Sequence, residues 1–387
     1  MGLIRRPFCW LAIVAVLASD PGAAATLAAQ GPPSRTKIDV STLGPQVGQL
    51  VPDFSLKDQN GKVWTRGSIM GPKGAMLMFY RSADWCPYCK TQLVDIQGRL
   101  DALRAQGLGV AAISYDPVPT LAEFATRRQI TFPLLSDAGS ATIKAFGILN
   151  PLPEMAFGPE KDDPDVVAEL RKYVAGGQPS PSWAGIAFPG TFILDRDGRV
   201  VSRFFEDYYV ERSTVSNIML RLGNGAAPVS ATKVTGTHLT LTTYPSDPGV
   251  AAGNRFSLAL QVQPQAGVHV YAPGASGYKV IKLSLDPQPF VRVLPMAYPP
   301  SDIYFFKPLN ERVPVFQKPV TLVQELVLEG TAAAQAAYRG KTSLTINGTL
   351  EYQACDDRLC FNPVTVPLTW TVSLKTLVTE RAPRPQP

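Results

Sequence analysis

The pattern of hydrophobic and polar positions changes character partway along the chain. In the first half, short apolar runs typical of buried strands alternate with segments whose apolar residues recur every three or four positions. The apolar run at 75–80, for example, is followed by a helical pattern whose apolar face extends to Leu103. This alternation predicts an α/β domain, a mixed sheet covered by helices, over residues 46–222.

The second half shows a different periodicity. A Gly- and Ala-rich stretch at 223–231 is interpreted as a linker. Beyond it, apolar and polar residues alternate over 256–262, 344–350 and 364–372. Period-two patterning with Pro- and Gly-rich turns predicts an all-β sandwich of about the size of an immunoglobulin domain over 232–375. The Pro-rich end predicts a disordered tail over 376–387.

The first 25 residues have the layout of a secretory signal peptide. Arg5 and Arg6 precede an apolar run at 8–18, and three alanines at 23–25 offer a cleavage site. The run is shorter than the roughly 20 residues that cross a bilayer, so an uncleaved anchor is the less favoured interpretation. We therefore expect a periplasmic or secreted protein with no transmembrane span in the mature chain, beginning with a flexible lead-in at 26–45.

Charge and cysteine content narrow the possible functions. A net charge of +6 over 387 residues, without a long basic stripe, argues against nucleic acid as a partner. Cleavage would remove Cys9 and leave Cys86, Cys89, Cys355 and Cys360. An even number of cysteines in an exported chain suggests disulfides. Because neither close pair closes a long loop, redox-active disulfides are favoured over a stapling framework.

The segment Trp85-Cys86-Pro87-Tyr88-Cys89 joins a predicted strand to a predicted helix. Pro87 suits the first helical turn, which places Cys86 at the helix N-terminus. Free N–H groups and the helix dipole favour a thiolate there, and such cysteines typically have a pKa of about 3.5–7.5. Since the thiolate is the attacking species in disulfide exchange, we expect Cys86 to be the nucleophile and Cys89 the resolving cysteine. A zinc site would need further soft ligands nearby, so we expect no metal and no cofactor.

Residues 52–56, the Cys86 segment and residues 188–198 form three spaced motifs in the first domain. Together they resemble the AhpC/TSA family of redoxins (alkyl hydroperoxide reductase and thiol-specific antioxidant). The resemblance covers about 46–222 and implies a thioredoxin fold, a redox-active centre and antioxidant activity. It also implies that Pro189 forms a cis peptide facing the cysteine pair, so that Trp85, Pro87 and Pro189 would contact the substrate.

The chain departs from these patterns at two points. Thioredoxins carry an acid six residues before the first cysteine, where this chain has Tyr80. The peroxiredoxin pattern Pro-x-x-x-Thr/Ser-x-x-Cys fits neither Cys86 nor Cys89. The first departure leaves proton handling open, and the second weakens the interpretation as a peroxidase. Three arginines are candidates for binding a peroxide, although exposed turn charges are commoner: Arg196, Arg199 and Arg203.

Cys355 and Cys360 flank four residues between two alternating segments. A hairpin would place them opposite each other, with Cβ atoms about 4.5–5.5 Å apart, so that modest closing would permit a disulfide. Residues 352–360, with 268–271 upstream, resemble the N-terminal domain of DsbD-type thiol:disulfide interchange proteins. That resemblance implies an immunoglobulin-like fold and implies that Cys360 attacks a partner's disulfide. A purely structural disulfide is the alternative, and His269 is interpreted as a strand or turn residue.

We therefore expect a periplasmic thiol–disulfide oxidoreductase whose partners are thiol or disulfide proteins of the cell envelope. The Cys86/Cys89 and Cys355/Cys360 pairs could exchange electrons within one chain. Two alternatives remain open. One is a thiol-dependent peroxidase acting on hydroperoxides. The other is a redox domain whose β-sandwich is an adaptor for protein binding.

Overall fold

The computed structural model describes residues 39–173, 180–205, 210–223, 230–296, 298–307 and 310–381, without the side chains of 171–173. The predicted signal peptide, Cys9 and most of the predicted lead-in and linker lie outside the described residues. None of the helices in the described part of the chain is long and apolar enough to cross a membrane.

The first domain is built on one mixed sheet. Its strands are β1 (Ser55–Asp58), β2 (Val63–Thr65), β3 (Gly74–Phe79), β4 (Leu108–Ser114), β5 (Leu134–Ser136), β6 (Gly190–Leu194) and β7 (Val200–Phe205). They are ordered β2-β1-β5-β4-β3-β6-β7, with β3, β4 and β5 parallel and their outer neighbours antiparallel. Every residue of β3 is buried, and alternate residues enter separate core clusters on the two faces. A strand covered on both faces reads as a continuous apolar run, as the sequence of β3 does.

The helices of this domain are α1 (Pro87–Ala105), α2 (Val118–Arg128), α3 (Ala141–Ala145), α4 (Leu152–Phe157), α5 (Pro164–Tyr173) and α6 (Val215–Arg221). Short 3₁₀ turns occur at Val40–Thr42 and Pro181–Trp183. The predicted α/β alternation is confirmed, including the apolar face of α1, which is buried. Gly107, with φ +82°, follows the last turn of α1 and reverses the chain into β4.

The second half of the chain is β-rich, as predicted. Its strands are β9 (Thr232–Gly236), β10 (Leu239–Pro245), β11 (Gly249–Ala251), β12 (Asn254–Pro264), β13 (His269–Tyr271), β14 (Lys282–Leu285), β15 (Val291–Val293), β16 (Asp302–Phe306), β17 (Glu311–Phe316), β18 (Val320–Leu328), β19 (Ser343–Tyr352), β20 (Ala354–Cys355) and β21 (Val364–Lys375). One helix, α7 (Ala332–Tyr338), interrupts them. Sheet orders are β15-β18-β12-β10-β9, β11-β21-β19-β14 and β16-β17-β13-β20. Side chains from the first two of these sheets share one apolar core.

The two halves are joined by a strand that the hydrophobic pattern does not reveal. β8 (Arg212–Ser213) precedes α6 in the first domain but pairs in parallel with β12 of the second. The backbone N–H of Arg212 donates to the carbonyl of Gly253 at 2.8 Å. Asn217 of α6 then donates to Glu325 on β18. The segment around β8 therefore belongs to both domains.

The tail is ordered over part of its length. Residues 376–387 were predicted to be disordered, but residues 376–381 lie against the first domain. The Val378 N–H donates to Thr91 Oγ1 at 3.0 Å, and Lys90 Nζ donates to the Glu380 carbonyl at 2.5 Å. The prediction was wrong for this part because Leu377 and Val378 are apolar and pack on the core beside α1. Residues 382–387 lie outside the described residues.

Candidate redox site

Cys86 caps the N-terminus of α1. Its backbone is extended, with φ −93° and ψ 100°, and its Sγ accepts the backbone N–H of Cys89 at 3.2 Å. Pro87 occupies the first helical turn, where its missing N–H leaves no hydrogen bond unmade. Cys86 is disulfide-bonded to Cys89, with Cα atoms 5.3 Å apart. The local geometry predicted from this motif is confirmed.

The disulfide is buried. The exposed fraction of both Cys86 and Cys89 is 0%. On one side, Trp85 stacks on Trp183, with ring centroids 4.5 Å apart. Tyr88, between the two cysteines, donates its hydroxyl to the Gly330 carbonyl of the second domain at 2.6 Å. The candidate site is therefore enclosed by parts of both domains.

Two buried guanidinium groups contact the sulfurs. Nη2 of Arg81 lies 3.4 Å from Cys86 Sγ, and Nη2 of Arg212 lies 3.5 Å from Cys89 Sγ. Both arginines have an exposed fraction of 2%. Neither arginine is predicted from the sequence. Arg81 could have been identified, because a charged residue that directly follows the apolar run at 75–80 is unusual. Arg212 could not, because it is 123 residues from Cys89.

The arginines proposed from sequence lie elsewhere. Arg203 donates to backbone carbonyls of Val40, Ser41 and Leu43, and Arg199 donates to the Gly48 carbonyl. Their role is to fix the segment that leads into the first domain. Arg196 is exposed.

A buried carboxyl group supports the loop that carries the cysteines. Asp116, just beyond β4, accepts hydrogen bonds from Ser82 Oγ at 2.8 Å, the Ala83 N–H at 2.7 Å and Ser114 Oγ at 2.8 Å. Burial raises the pKa of Asp116 to about 6, against the effect of these donors. Where thioredoxins place an acid, Tyr80 is fully buried, and burial raises its pKa too. The chain therefore brings a carboxyl group to this end of the sheet from a neighbouring strand.

Lys90 lies one turn into α1 with its ammonium group enclosed. Nζ donates to the carbonyls of Asp84 and Glu380, at 2.6 and 2.5 Å. Burial lowers the pKa of Lys90 to about 8, although Asp84 opposes the shift. Lys90 thus ties the cysteine loop to the ordered tail.

Two of the candidate substrate-binding residues lie beside the disulfide. Pro87 lies within the ring that the Cys86–Cys89 disulfide closes. Trp85 stacks on Trp183, and its Nε1–H donates to the Tyr115 hydroxyl at 2.9 Å. Pro189 precedes β6, whose Gly190 pairs with Phe79 at the end of β3. It therefore lies at the same end of the sheet as the cysteine loop.

The cis geometry expected of Pro189 is not found. The Phe188–Pro189 peptide is trans, as are all others among the described residues. The Phe188 N–H bonds to the Ile148 carbonyl at 2.8 Å, and Ala187 bridges Leu149. These contacts lead the chain into β6 in an extended form. A trans peptide is also the intrinsically preferred state of an X–Pro bond.

Cys355 and Cys360 form the predicted hairpin. They bridge in antiparallel register and are disulfide-bonded, with Cα atoms 4.1 Å apart. The Asp356 N–H closes the loop onto the Leu359 carbonyl at 3.0 Å. Cys355 is buried and Cys360 half-buried, so the second pair is more accessible than the first.

A tyrosine hydroxyl lies against this second disulfide. The Oη of Tyr271 is 3.0 Å from Cys355 Sγ and 3.2 Å from Cys360 Sγ. Its ring stacks on Tyr278, whose hydroxyl donates to Glu311 at 2.6 Å. Burial is the first cause of the raised pKa of Tyr271. The phenol is therefore protonated at neutral pH and can donate to a sulfur.

His269 is a strand residue, which is one of the two positions expected for it. It pairs with Cys355 across β13 and β20, and its ring lies against Tyr304 with centroids 4.4 Å apart. Burial lowers its pKa. The side chain therefore contributes to the packing around the hairpin.

The structure does not bring the two disulfides together. Gly253, against which Tyr88 packs, immediately precedes β12, whereas His269 and Cys355 lie beyond its other end. β12 has 11 residues, which at the usual rise per residue is about 35 Å. A separation of this order is far longer than a disulfide bond, so exchange between the two pairs within one chain would require the domains to move.

Comparisons with known proteins agree with the two-part organisation. Residues 47–203 match the model of the AhpC/TSA family. Residues 243–369 match the model described as thiol:disulfide interchange protein DsbD, N-terminal. Each model falls within one of the two halves described above.

Curated relatives match the first domain. Alkyl hydroperoxide reductase E of Mycobacterium tuberculosis is 31% identical over 162 residues, which is 41% of this chain and 84% of that protein. Peroxiredoxin Bcp of Escherichia coli is 31% identical over 103 residues, 27% of this chain and 65% of that protein. Among solved structures, peroxidoxin BcpB of M. tuberculosis is 23% identical and covers 43% of this chain and 88% of its own, with a TM-score of 0.32.

Proposed function

The chain belongs to the AhpC/TSA family, and from that premise we propose that it is an exported thiol–disulfide oxidoreductase reacting through Cys86 and Cys89. Its first domain has the thioredoxin-like fold of peroxiredoxins, its second part is a DsbD N-terminal domain, and the chain is an enzyme of thiol chemistry. The observation that carries the proposal is the position of Cys86 Sγ at the N-terminus of α1, in a disulfide that closes a short ring.

The exchange runs in two steps. In the reduced chain the Cys86 thiolate attacks a partner disulfide and forms a mixed disulfide. Cys89 then attacks Cys86 Sγ, which releases the partner as a dithiol, so two electrons pass from the chain to the partner. Each step is reversible, and the reverse sequence oxidises a partner dithiol. Trp85, Pro87 and Pro189 are proposed to contact the partner.

Access requires a movement, because both sulfurs are fully buried in the oxidised chain. The second domain covers the disulfide through polar contacts, such as the hydrogen bond from the Tyr88 hydroxyl to the Gly330 carbonyl. Such contacts exchange with water at small net cost. We propose that these covering contacts of Tyr88 open when a partner binds.

We further propose that the second domain is immunoglobulin-like and that Cys355/Cys360 is a second redox pair. Cys360 is the more accessible of the two sulfurs, which suits it to attack a partner's disulfide. Because the two disulfides lie at opposite ends of β12, this pair would react with another protein molecule. The periplasm is the proposed location, since DsbD N-terminal domains normally work there.

Trapping tests the main proposal. A Cys89→Ser chain keeps Cys86 but cannot resolve the mixed disulfide, so it should accumulate covalent complexes in envelope extracts that disappear on reduction. A Cys86→Ser/Cys89→Ser chain is the control. If the folded Cys89→Ser chain forms no complex that maps to Cys86 by mass spectrometry, the proposal is wrong.

A thiol peroxidase is the second candidate function. It is favoured by the names of the relatives, alkyl hydroperoxide reductase and peroxiredoxin, and by the guanidinium of Arg81 beside Cys86 Sγ. The reduced chain would then consume a hydroperoxide, and Cys86→Ser would abolish this consumption. Measuring peroxide loss at a rate above that of a free thiol separates the two candidates.

A further inference from the structure

We propose that Arg81 and Arg212 set the direction of exchange at the first site. They stabilise the thiolates of the reduced pair, so that the disulfide acts as an acceptor of electrons from a dithiol protein. This inference deepens the proposed function and rests on it. The juxtaposition that carries it is one buried guanidinium on each sulfur.

The contacts gain strength when the disulfide is reduced. A disulfide sulfur is neutral and a weak acceptor, whereas a thiolate carries a full negative charge. Hydrogen bonds from a charged donor to a charged acceptor are roughly twice as strong as neutral ones. Because Arg81 and Arg212 are 2% exposed, water does little to screen the interaction. The two guanidinium groups therefore lower the energy of the reduced, ionised pair relative to a site without them.

Further charged groups lie near the cysteine loop. Asp84 and Asp116 are the acidic residues of the cysteine loop and the adjoining strand end, and Lys90 adds an ammonium group on α1. Glu211, next to Arg212, forms an ion pair with Arg292. The dipole of α1 acts on Cys86 in the same direction as Arg81.

Each arginine faces the sulfur that leaves in one step of partner oxidation. A partner thiolate attacks Cys86 Sγ, the Cys86–Cys89 bond breaks, and Cys89 leaves as a thiolate beside Arg212. The second partner thiolate attacks the partner sulfur of the mixed disulfide, and Cys86 leaves as a thiolate beside Arg81. The partner dithiol loses two electrons and two protons; the chain gains the electrons as the two thiolates, and the protons pass to solvent. A lower pKa of the leaving thiol makes each step faster.

The second domain takes part through Arg212. This residue lies in β8, which pairs with β12, and its backbone N–H is bonded to the Gly253 carbonyl. The guanidinium on Cys89 is therefore held in place by strand pairing with the second domain. Docking of the two domains and the redox equilibrium of the first pair are coupled by this contact.

Glutathione buffers of graded ratio test the inference on the full chain. After alkylation, peptide mass mapping reports the two pairs separately, so Cys355/Cys360 is an internal control. Arg81→Gln and Arg212→Gln should each shift the first pair at least tenfold toward the disulfide, which corresponds to about 30 mV. Arg81→Lys and Arg212→Lys should stay closer to wild type, and Arg199→Gln should not differ from it. Folded glutamine variants with the wild-type equilibrium would overturn the inference.

A measurement on the wild-type chain tests the inference even if the variants do not fold. The alkylation rate of reduced Cys86 against pH gives its pKa, which should lie below 7. A midpoint at the value of a free thiol, about 8.5, would overturn the inference without any variant. Glutathione replaces the protein partner in the equilibria, so failure to trap a partner removes the proposed function alone. Unchanged equilibria with successful trapping remove this inference alone.

Discussion

The hydroxyl of Tyr88 donates to the Gly330 carbonyl at 2.6 Å, so one of the two residues between Cys86 and Cys89 is anchored in the second domain. Gln335 Nε2 donates to the same hydroxyl at 3.0 Å. A Cβ added at Gly253 would come within 2.8 Å of the Tyr88 ring, and a Cβ added at Gly330 would come within 3.1 Å of it. The absence of side chains at these two glycines is what allows the redox loop to dock.

Tyr88→Phe should weaken the docking while leaving the cysteines intact. Removal of the hydroxyl loses the bonds to Gly330 and Gln335, which we expect to cost about 1 kcal/mol of unfolding free energy in urea denaturation. Alkylation of reduced Cys86 should become faster. The control is Tyr298→Phe, which removes a hydroxyl bond to the Ile281 carbonyl within the second domain. Equal alkylation rates in the two variants would contradict a role of Tyr88 in covering the site.

Gly253→Ala and Gly267→Ala form a matched pair. Both glycines have positive φ, +82° and +77°, so both substitutions carry a backbone penalty of about 1–2 kcal/mol. Only at Gly253 would the new Cβ meet Val210 O, at 2.4 Å, and the Tyr88 ring. Gly253→Ala should therefore lower stability further and expose Cys86 to alkylation. A Gly253→Ala chain no less stable than Gly267→Ala would show that the domains do not dock as described.

Deletion of residues 376–387 should loosen the start of α1. It removes the packing of Leu377 and Val378 and the bonds to Lys90 and Thr91, at a cost of about 2 kcal/mol. Amides in the first turns of α1 should then exchange hydrogen faster. Deletion of 382–387 retains every tail contact described above and is the control. The same exchange rates in both truncated chains would contradict the assignment of these contacts to stability.

Asp116 should give stability a recognisable pH dependence. Its pKa is raised from 3.8 to about 6 in the folded chain, so between these values the folded state binds more protons than the unfolded state. The stability from the protonated carboxyl is fully present below about pH 4 and falls as pH rises through 6, by about 3 kcal/mol in total. In Asp116→Asn the fall over this window should be smaller, as measured by urea denaturation at several pH values. A parallel pH profile for the two chains would contradict the shift.

Replacing Cys355 and Cys360 by Ala should affect only the second domain. The disulfide closes a short loop, so its loss should cost about 2 kcal/mol. The first pair lies beyond the other end of β12 and should keep its wild-type glutathione equilibrium. A serine pair at the same positions controls for side-chain polarity. A changed equilibrium at Cys86/Cys89 would show that the two sites communicate.

The sequence predicted those features that depend on neighbours along the chain. The cap at Cys86, the burial of β3 and the opposition of Cys355 and Cys360 follow from proline placement, apolar periodicity and loop length. Each is decided within a few residues, where propensity and register act directly.

The rest depends on contacts between distant segments. Arg212 reaches Cys89 because β8 pairs with β12, and Asp116 reaches the cysteine loop from the neighbouring strand β4. The pattern of residues 210–215 shows no strand, since β8 has two residues. Residues 376–381 are ordered because α1 offers them an apolar surface, a fact that their Pro-rich surroundings conceal.

Because β8 pairs with β12, no boundary between the two domains leaves both of their sheets intact. In a fragment ending at residue 222, β8 would lack its partner strand and its backbone hydrogen bonds to β12 would be lost. In a fragment starting at 230, β12 would lack the pairing that β8 provides. Neither fragment is a faithful stand-in for its half of the intact chain. Duplication, fusion or exchange of either half on its own would break a sheet, so the pairing favours inheritance of both chemistries as a single unit.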